Sequence, residues 1–458
     1  MKKHIIYLFI SSILAFGAWT RFEYMLLLST ITTFLLILTC IGNDFFENIE
    51  KIARNKFNWF LAIIALLSII SIYNPNGIFI QENGYYYIKK INYIEFLPTS
   101  ISILPCDKGT HYFLLCLLNT FNLVNIFILN TKSRNDISLF LTYISTFGFI
   151  SCLTIITMHI YEYCYAVEQS GKKLLGVIEA YKSSPTGTFF SQNMASQYLI
   201  LVLSATSVKF ISNLKIFLQT KQGFAKTAIF AIYLLVNVLT LLLCLQVQAL
   251  LGIAILVGLL VVQIFYISGK LKKCILIALA NLALIAVFIG FAQGNQWIDT
   301  FETKLINKIE RKIESNLHEN DRIVLWGKSI DILKNNKCWG VGANNFIFYS
   351  YQYDDKYYTK KHPHRTSKSI AYSVHNDLLQ FMCEFGIIGT LILLTGIIYY
   401  LTQTIKNIRS NYLYINILLG IITIAIISLF DMPFQLINVS TLFFIYCAII
   451  HYKPTQTN

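Results

Sequence analysis

The stretch SVHNDLLQFMCEFGIIGTLILLTGIIYYLTQT, residues 373–404, joins a polar segment to an apolar run without a break. The apolar part, residues 385–404, is long enough to cross the hydrocarbon core of a bilayer, which takes about 20 apolar residues. The polar part places His375 and Asn376 close to the entrance of that run. The stretch therefore predicts a membrane span with candidate functional residues just before its start.

The composition of the whole chain is that of a membrane protein. Of its 458 residues, 55% are hydrophobic, 15% are aromatic and only 13% are charged, which lies outside the range of soluble globular proteins. The net charge of +14 would suggest nucleic-acid binding in a soluble chain, but here it matters for orientation in the bilayer. We predict an all-α polytopic membrane protein with membrane lipids, and no nucleic acid, among its partners.

About 12 transmembrane helices and one long loop are expected. The candidate spans, some barely long enough, are 5–19, 23–41, 57–73, 109–129, 137–160, 192–208, 227–246, 249–267, 274–292, 385–404, 412–430 and 434–451. We divide the chain into an N-terminal bundle of about nine spans (1–292), a long, helical external loop with the catalytic motifs (293–384) and the C-terminal transmembrane helices (385–458).

Basic residues set the orientation. With the N-terminus inside, the short cytoplasmic connections hold 17 Lys and Arg, against seven in the external connections other than 293–384. Long loops are exempt from the positive-inside rule, so the difference between 17 and seven basic residues sets the orientation of the chain in the membrane. We predict that both termini are cytoplasmic and that residues 293–384 are periplasmic.

The other loops give weaker signals. Three prolines and the aromatic run Tyr85-Tyr86-Tyr87 in the 74–108 loop predict an irregular, mostly passive segment on the membrane surface. Apolar residues at every fourth position of 305–317 predict an amphipathic helix lying along the membrane. Four cysteines lie in or beside external loops and could form disulfides: Cys106, Cys164, Cys338 and Cys383.

A helix is predicted to begin after Asn320-Asp321, which serves as its N-cap, and to run to about Lys334. Arg322 then lies in its first turn and Trp326 one turn further on. A guanidinium beside the free N–H groups of a helix start makes an anion site.

A second helix start is predicted at Ser373 as N-cap, with His375 and Asn376 in the first turn. A helix N-terminus disfavours added positive charge, so the imidazole should stay neutral and able to accept a proton. The other loop histidines lack this setting, and Glu384 and Gly386 are interpreted only as the point where the helix enters the bilayer and packs closely.

These segments resemble the signature of the O-antigen ligase-like family, which are lipid-linked glycan transferases of bacterial membranes. The matching elements are His375-Asn376 with Leu379-Gln380 and Glu384-x-Gly386-x-x-Gly389, Arg322-x-x-x-Trp326, Gly340-x-Gly342-x-x-x-Phe346, and the span entry from Gly187 to Asn193. The resemblance implies a fold like that of the GT-C glycosyltransferases. It also implies catalytic roles for His375 and Arg322 and substrate contacts for Asn376 and Trp326.

Two positions depart from the family pattern. Gln248 lies where an arginine thought to touch the lipid diphosphate is usual, and an amide donates hydrogen bonds but brings no charge. Arg365, Lys361 or Lys182 could replace that cation. Gln192-Asn193 stands where Asn-Pro-Asn is more usual, and Asn193 could contact ligand or only cap a helix.

The resemblance implies transfer of a glycan from an undecaprenyl-diphosphate carrier to an acceptor on the periplasmic face of the inner membrane, with no cofactor and no metal. A lipid A–core acceptor would make the chain an O-antigen ligase. The alternatives are a polysaccharide polymerase with a glycan acceptor, a protein O-oligosaccharyltransferase and, from another class, a transporter or flippase. The near absence of charges within the spans argues against a coupled pump.

Overall fold

The computed structural model describes residues 2–16, 21–41, 45–82, 85–102, 109–170, 186–189, 191–244, 246–268, 321–353, 373–408 and 414–451. The expected ninth span (274–292), the amphipathic 305–317 helix and Arg365 lie outside these residues. Within them the chain is almost entirely helical, with one small sheet.

Fourteen helices are described. They are α1 Lys2–Phe16, α2 Phe22–Ile41, α3 Phe45–Arg54, α4 Lys56–Tyr73, α5 Thr110–Asn130, α6 Arg134–Ser170, α7 Gln192–Thr220, α8 Phe224–Leu243, α9 Val247–Ser268, α10 Asp321–Asn335, α11 Phe346–Ser350, α12 Asp377–Ile408, α13 Ile415–Ile427 and α14 Ile437–His451. Two short 3₁₀ turns, Tyr351–Tyr353 and Pro433–Gln435, complete the helical elements of the described part.

The membrane fold class is confirmed. In the described part, seven helices are long and apolar enough to cross a membrane, namely α2, α4, α5, α6, α7, α8 and α12. Four shorter apolar helices, parts of α1, α9, α13 and α14, join them. Eleven of the twelve expected spans coincide with these helices, because continuous apolar runs are legible from sequence alone.

Helix α7 is the centre of the bundle and packs against α6, α8, α9, α13 and α14. Small residues allow the closest approaches: Gly252 of α9 lies against Ile200, and Gly420 of α13 lies against Ser204. Small residues have this use in membranes because apolar lipid gives helices no hydrophobic drive to associate, so close packing contributes more.

Helices α7 and α9 begin at the end of the bundle where α13 finishes. Gln248 at the start of α9 donates to Ser196 at the start of α7. At the opposite end, Asn416 at the start of α13 donates to Gln263 near the end of α9, at 2.7 Å. We call the end that holds the starts of α7 and α9 the site end.

Helix α5 is fastened to its neighbours by asparagines. Asn119 donates to Ser29 of α2 at 2.6 Å, and Asn125 exchanges hydrogen bonds with Asn58 of α4 at 2.8 and 3.0 Å. Buried amides in hydrocarbon must find such partners. The contacts fix how these helices are rotated about their axes.

The expectation of an irregular 74–108 loop is wrong. Three strands form there, β1 Pro75–Glu82, β2 Tyr85–Lys90 and β3 Ser100–Ser102, in the order β2-β1-β3. β1 pairs antiparallel with β2 and parallel with β3. The sheet packs on α11, where Phe79 meets Phe348 with ring centroids 4.8 Å apart and Tyr349 donates to Asn76 at 2.8 Å. Burial raises the pKa of Tyr349 to about 12, so it stays a neutral donor.

Helix α12 is interrupted at Gly386, whose φ is +63°. The turn that follows α10 supplies partners for the backbone groups around the break: Val341 and Gly342 donate to the carbonyls of Cys383 and Glu384, and Ile387 and Ile388 donate to those of Lys337 and Cys338. A Cβ added at Gly340 or Gly386 would overlap the opposing backbone. Close packing at Gly386 is thus confirmed, and its neighbour is a turn.

Candidate active site

Arg322 lies at the expected helix start. Helix α10 is described from Asp321 to Asn335, so it ends close to the predicted Lys334, and Arg322 lies in its first described turn. Its Nη1 donates to the carbonyl oxygen of Phe430 at 2.7 Å. Phe430 lies beyond the end of α13, so this bond ties the start of α10 to the turn between α13 and α14.

His375 is not in a first helical turn, and that expectation is wrong. Helix α12 begins at Asp377, and the Asn376 side chain caps it by accepting a hydrogen bond from the Leu379 amide at 2.9 Å. His375 has a φ of +53°. The Ser373 hydroxyl, expected to be the cap, is buried without a partner among the described residues. Tertiary contacts of His375 and Asp377 with the 428–434 turn hold the segment before α12 instead.

A carboxylate holds the imidazole. His375 Nδ1 lies 3.1 Å from Asp431 Oδ1, and the side chains are 31% and 3% exposed respectively. The Met432 amide also donates to this oxygen, at 3.0 Å. If the carboxylate is ionised, Nδ1 carries the ring proton and donates a hydrogen bond to Asp431, which leaves Nε2 as an acceptor. The carboxylate therefore selects the tautomer that a proton-accepting histidine needs.

The turn at 428–434 gathers these groups. Its Phe430 carbonyl receives Arg322, and its Asp431 receives His375. Asp377 anchors the segment from the other side: its amide donates to the Ser428 carbonyl at 2.8 Å, and its carboxylate accepts the Phe434 amide at 2.9 Å. A guanidinium, an imidazole and a carboxylate from three separate chain segments thus meet on one turn.

Gln248 and Asn193 are also brought together. Gln248 Nε2 donates to the Asn193 carbonyl at 3.2 Å and to Ser196 Oγ at 3.0 Å. Gln246 Nε2 donates to Gln192 Oε1 at 3.0 Å. The cap of α7 is Ser191, whose hydroxyl accepts from the Met194 amide. Asn193 is therefore not the capping residue, and the two departures from the family pattern form one amide cluster.

Helix geometry places this amide cluster level with the 428–434 turn. Gly420 of α13 lies against Ser204 of α7, and the two helices run in opposite directions. Eight residues further toward the site end, from 420 to 428 and from 204 to 196, correspond to about 12 Å of rise along each helix. Ser428 and Ser196 therefore lie at a similar depth, and Gln248 contacts Ser196.

Trp326 has a structural setting. Its indole packs in a cluster with Leu325, Ile332 and Phe346 between α10 and α11. The indole N–H is buried without a partner among the described residues. Trp326 thus supports the helix that carries Arg322, and a substrate contact for it stays a prediction.

Many apolar helices with this polar cluster at one end define a polytopic membrane protein with a candidate site at that end of its bundle. Residues 230–394 match the family model described as Wzy_C, O-Antigen ligase. The match includes Gln248, Arg322 and His375 and confirms the resemblance to the O-antigen ligase-like family. The match implies a membrane glycan-processing enzyme and supports a function of the O-antigen ligase or polymerase kind in general. No curated protein matches the chain.

Asp431 is a candidate site residue that sequence reasoning missed, and it lies beyond the matched region. A signal was present, because Asp431 is a lone carboxylate in the short polar break between two apolar runs. Ionisable residues in or against membrane spans are expensive to bury and are functional candidates by default.

Proposed function

We propose that the chain transfers a glycan from an undecaprenyl-diphosphate carrier to an acceptor hydroxyl on the periplasmic face of the bacterial inner membrane. The acceptor we favour is lipid A–core, which makes the chain an O-antigen ligase. The observation that carries the proposal is the meeting of Arg322, His375 and Asp431 on the 428–434 turn.

The chemistry divides among these groups. The acceptor oxygen attacks the anomeric carbon of the glycan, the bond from that carbon to the diphosphate oxygen breaks, and the lipid diphosphate leaves. His375 Nε2 takes the hydroxyl proton, while Asp431 orients the ring and stabilises the imidazolium that forms. Arg322 binds the departing diphosphate together with the N–H groups at the start of α10.

Arg322 is well suited to that role. A guanidinium presents five N–H donors in a rigid fork that matches phosphate oxygens. The bond to the Phe430 carbonyl fixes the orientation of the fork. Because the family arginine is replaced at Gln248, Arg322 carries a larger share of the diphosphate binding.

Replacing Arg322 with lysine should therefore be costly. The ammonium keeps the charge but loses the fork, and a charge-assisted hydrogen bond contributes roughly 1.5–3 kcal/mol, or about ten- to a hundredfold in affinity. Gln248→Arg should partly rescue the Arg322→Lys enzyme. Donor KM and transfer rate of the single and double variants measure this.

Gln222→Arg is the matched control, because it adds the same charge at the opposite end of α7, where Gln222 is exposed. It should rescue nothing. If Gln248→Arg instead lowers the transfer rate of both the wild-type and the Arg322→Lys enzyme, and the two effects simply add, Gln248 faces away from the diphosphate.

Labelling with a membrane-impermeant maleimide tests the orientation. Cys338 is a free, exposed thiol beside the break in α12, and Lys221 is an exposed cap at the far end of α7. In intact spheroplasts, a variant with Cys338 as its single cysteine should be labelled. One with Lys221→Cys as its single cysteine should react only after lysis. The reverse pattern would overturn the periplasmic placement of the site.

A deletion strain tests the acceptor. Loss of O-antigen from lipid A–core, with lipid-linked polymer accumulating, is the expected result. Loss of polymer with single repeat units still attached would point to a polymerase, and loss of glycoprotein alone would point to a protein oligosaccharyltransferase.

A further inference from the structure

A line of buried hydrogen bonds connects the turn after α10 to the residue before His375. The Val374 amide donates to Gln380 Oε1 at 3.0 Å, and Gln380 Nε2 donates to Glu384 Oε1 at 2.9 Å. The Glu384 carboxylate also accepts hydrogen bonds from the backbone amides of Asn344 and Phe346. Gln380 and Glu384 are only 4% and 5% exposed.

The line has a fixed donor and acceptor order. The Val374 backbone amide can only donate, so Gln380 must turn its oxygen toward Val374 and its NH₂ group toward Glu384. Buried polar groups that are all satisfied in this way rigidify the structure around them, whereas a mismatch leaves an unpaired group that is costly to bury.

These hydrogen bonds end beside His375, whose backbone conformation must be held by its surroundings. His375 has a positive φ, which is uncommon for a residue with a side chain and persists only where the surroundings determine it. The bond to Val374 fixes the segment on one side, and Asp431 fixes the imidazole on the other. Neither Gln380 nor Glu384 appears among the groups that meet on the 428–434 turn.

We propose that Gln380 and Glu384 are positioning residues for His375. They tie its backbone to the turn at Asn344–Phe346, so that Nε2 faces the acceptor hydroxyl. This inference rests on the proposed function for the reaction that it supports. It gives the Leu-Gln and Glu-x-Gly parts of the sequence motif a role beyond helix packing.

Exchanging the two side chains tests the donor order. Glu384→Gln turns an NH₂ group toward the NH₂ group of Gln380, and Gln380→Glu places two carboxylates face to face. The double variant, Gln380→Glu with Glu384→Gln, restores the order: the new carboxylate accepts from Val374 and from the new amide, whose oxygen accepts from Asn344 and Phe346. Gln263→Leu breaks a buried amide pair at the other end of the bundle and serves as the control for general destabilisation.

Two measurements on the purified full-length protein read the result. The rate at which diethyl pyrocarbonate modifies His375, followed by mass spectrometry, reports its position and needs no donor. The kcat with a lipid-linked donor should fall by about ten- to a hundredfold in each single variant, the cost of misplacing a catalytic group, with little change in donor KM. The exchanged double variant should recover both kcat and the wild-type modification rate, and Gln263→Leu should alter neither.

A Glu384→Gln protein with wild-type modification rate and kcat would overturn the proposal. An exchanged double variant that is as impaired as the single variants would also overturn it. So would a double variant that fails to fold although the single variants fold. If the wild type transfers no glycan, the proposed function fails, and the modification rates still decide whether this pair positions His375.

Discussion

Replacing His375 with alanine is expected to abolish glycan transfer while the protein still inserts and folds. The imidazole accepts the acceptor proton in our account, and a positioned base contributes about 10²–10⁴-fold to a rate. The side chain is 31% exposed, so its removal opens little buried space. Transfer by purified enzyme in liposomes, from a lipid-linked donor to lipid A–core, measures the loss.

His4→Ala is the matched control. His4 also has a hydrogen bond at one ring nitrogen, to the Tyr143 hydroxyl at 3.0 Å, but it lies in α1, away from the 428–434 turn. It should transfer at nearly the wild-type rate, and His318→Ala should do little as well. Near-normal transfer by the His375→Ala enzyme would end the assignment of His375 as the base.

Replacing Asp431 with asparagine should be almost as damaging. An amide of the same shape can keep the hydrogen bond from Met432, so the turn should survive. It carries no charge, so it cannot stabilise the imidazolium that forms when Nε2 takes the proton. Loss of this function in a histidine–aspartate pair lowers kcat by up to about 10⁴-fold. The kcat at saturating donor should show it, with KM nearly unchanged.

Asp136→Asn controls for the loss of a buried carboxylate. Asp136 pairs with Lys3 at 2.7 Å and lies outside the candidate site. Its variant should therefore be less stable, while the kcat of the folded enzyme stays close to that of the wild type. If Asp431→Asn behaves like Asp136→Asn, the contact with His375 is structural only.

Local signals account for what the sequence predicted. Apolar runs located eleven of the spans, and an acidic residue followed by a helical pattern located the start of α10. The backbone at His375 could not be predicted in this way, because partners distant in the chain set it. Gln380 lies a turn away, but Ser428 and Asp431 come from another pair of helices.

Two other features had signals that were passed over. Asn83-Gly84 separates two strand-like runs, and that dipeptide is the strongest short-range sign of a hairpin. Asp431 stood alone between two apolar runs. The prolines and the aromatic run of the 74–108 region favour an irregular loop over a hairpin, and the matched family region ends before Asp431.

The most direct test asks whether His375 and Asp431 act as one unit. The measurement is the rate of transfer by His375→Ala, by Asp431→Asn and by the double variant in the same liposomes. Residues that share one catalytic step are not additive, because the second change removes what the first has already lost. Our account predicts a double variant no slower than His375→Ala alone. Losses that multiply would show that the two residues contribute independently, which would contradict a shared site on the 428–434 turn.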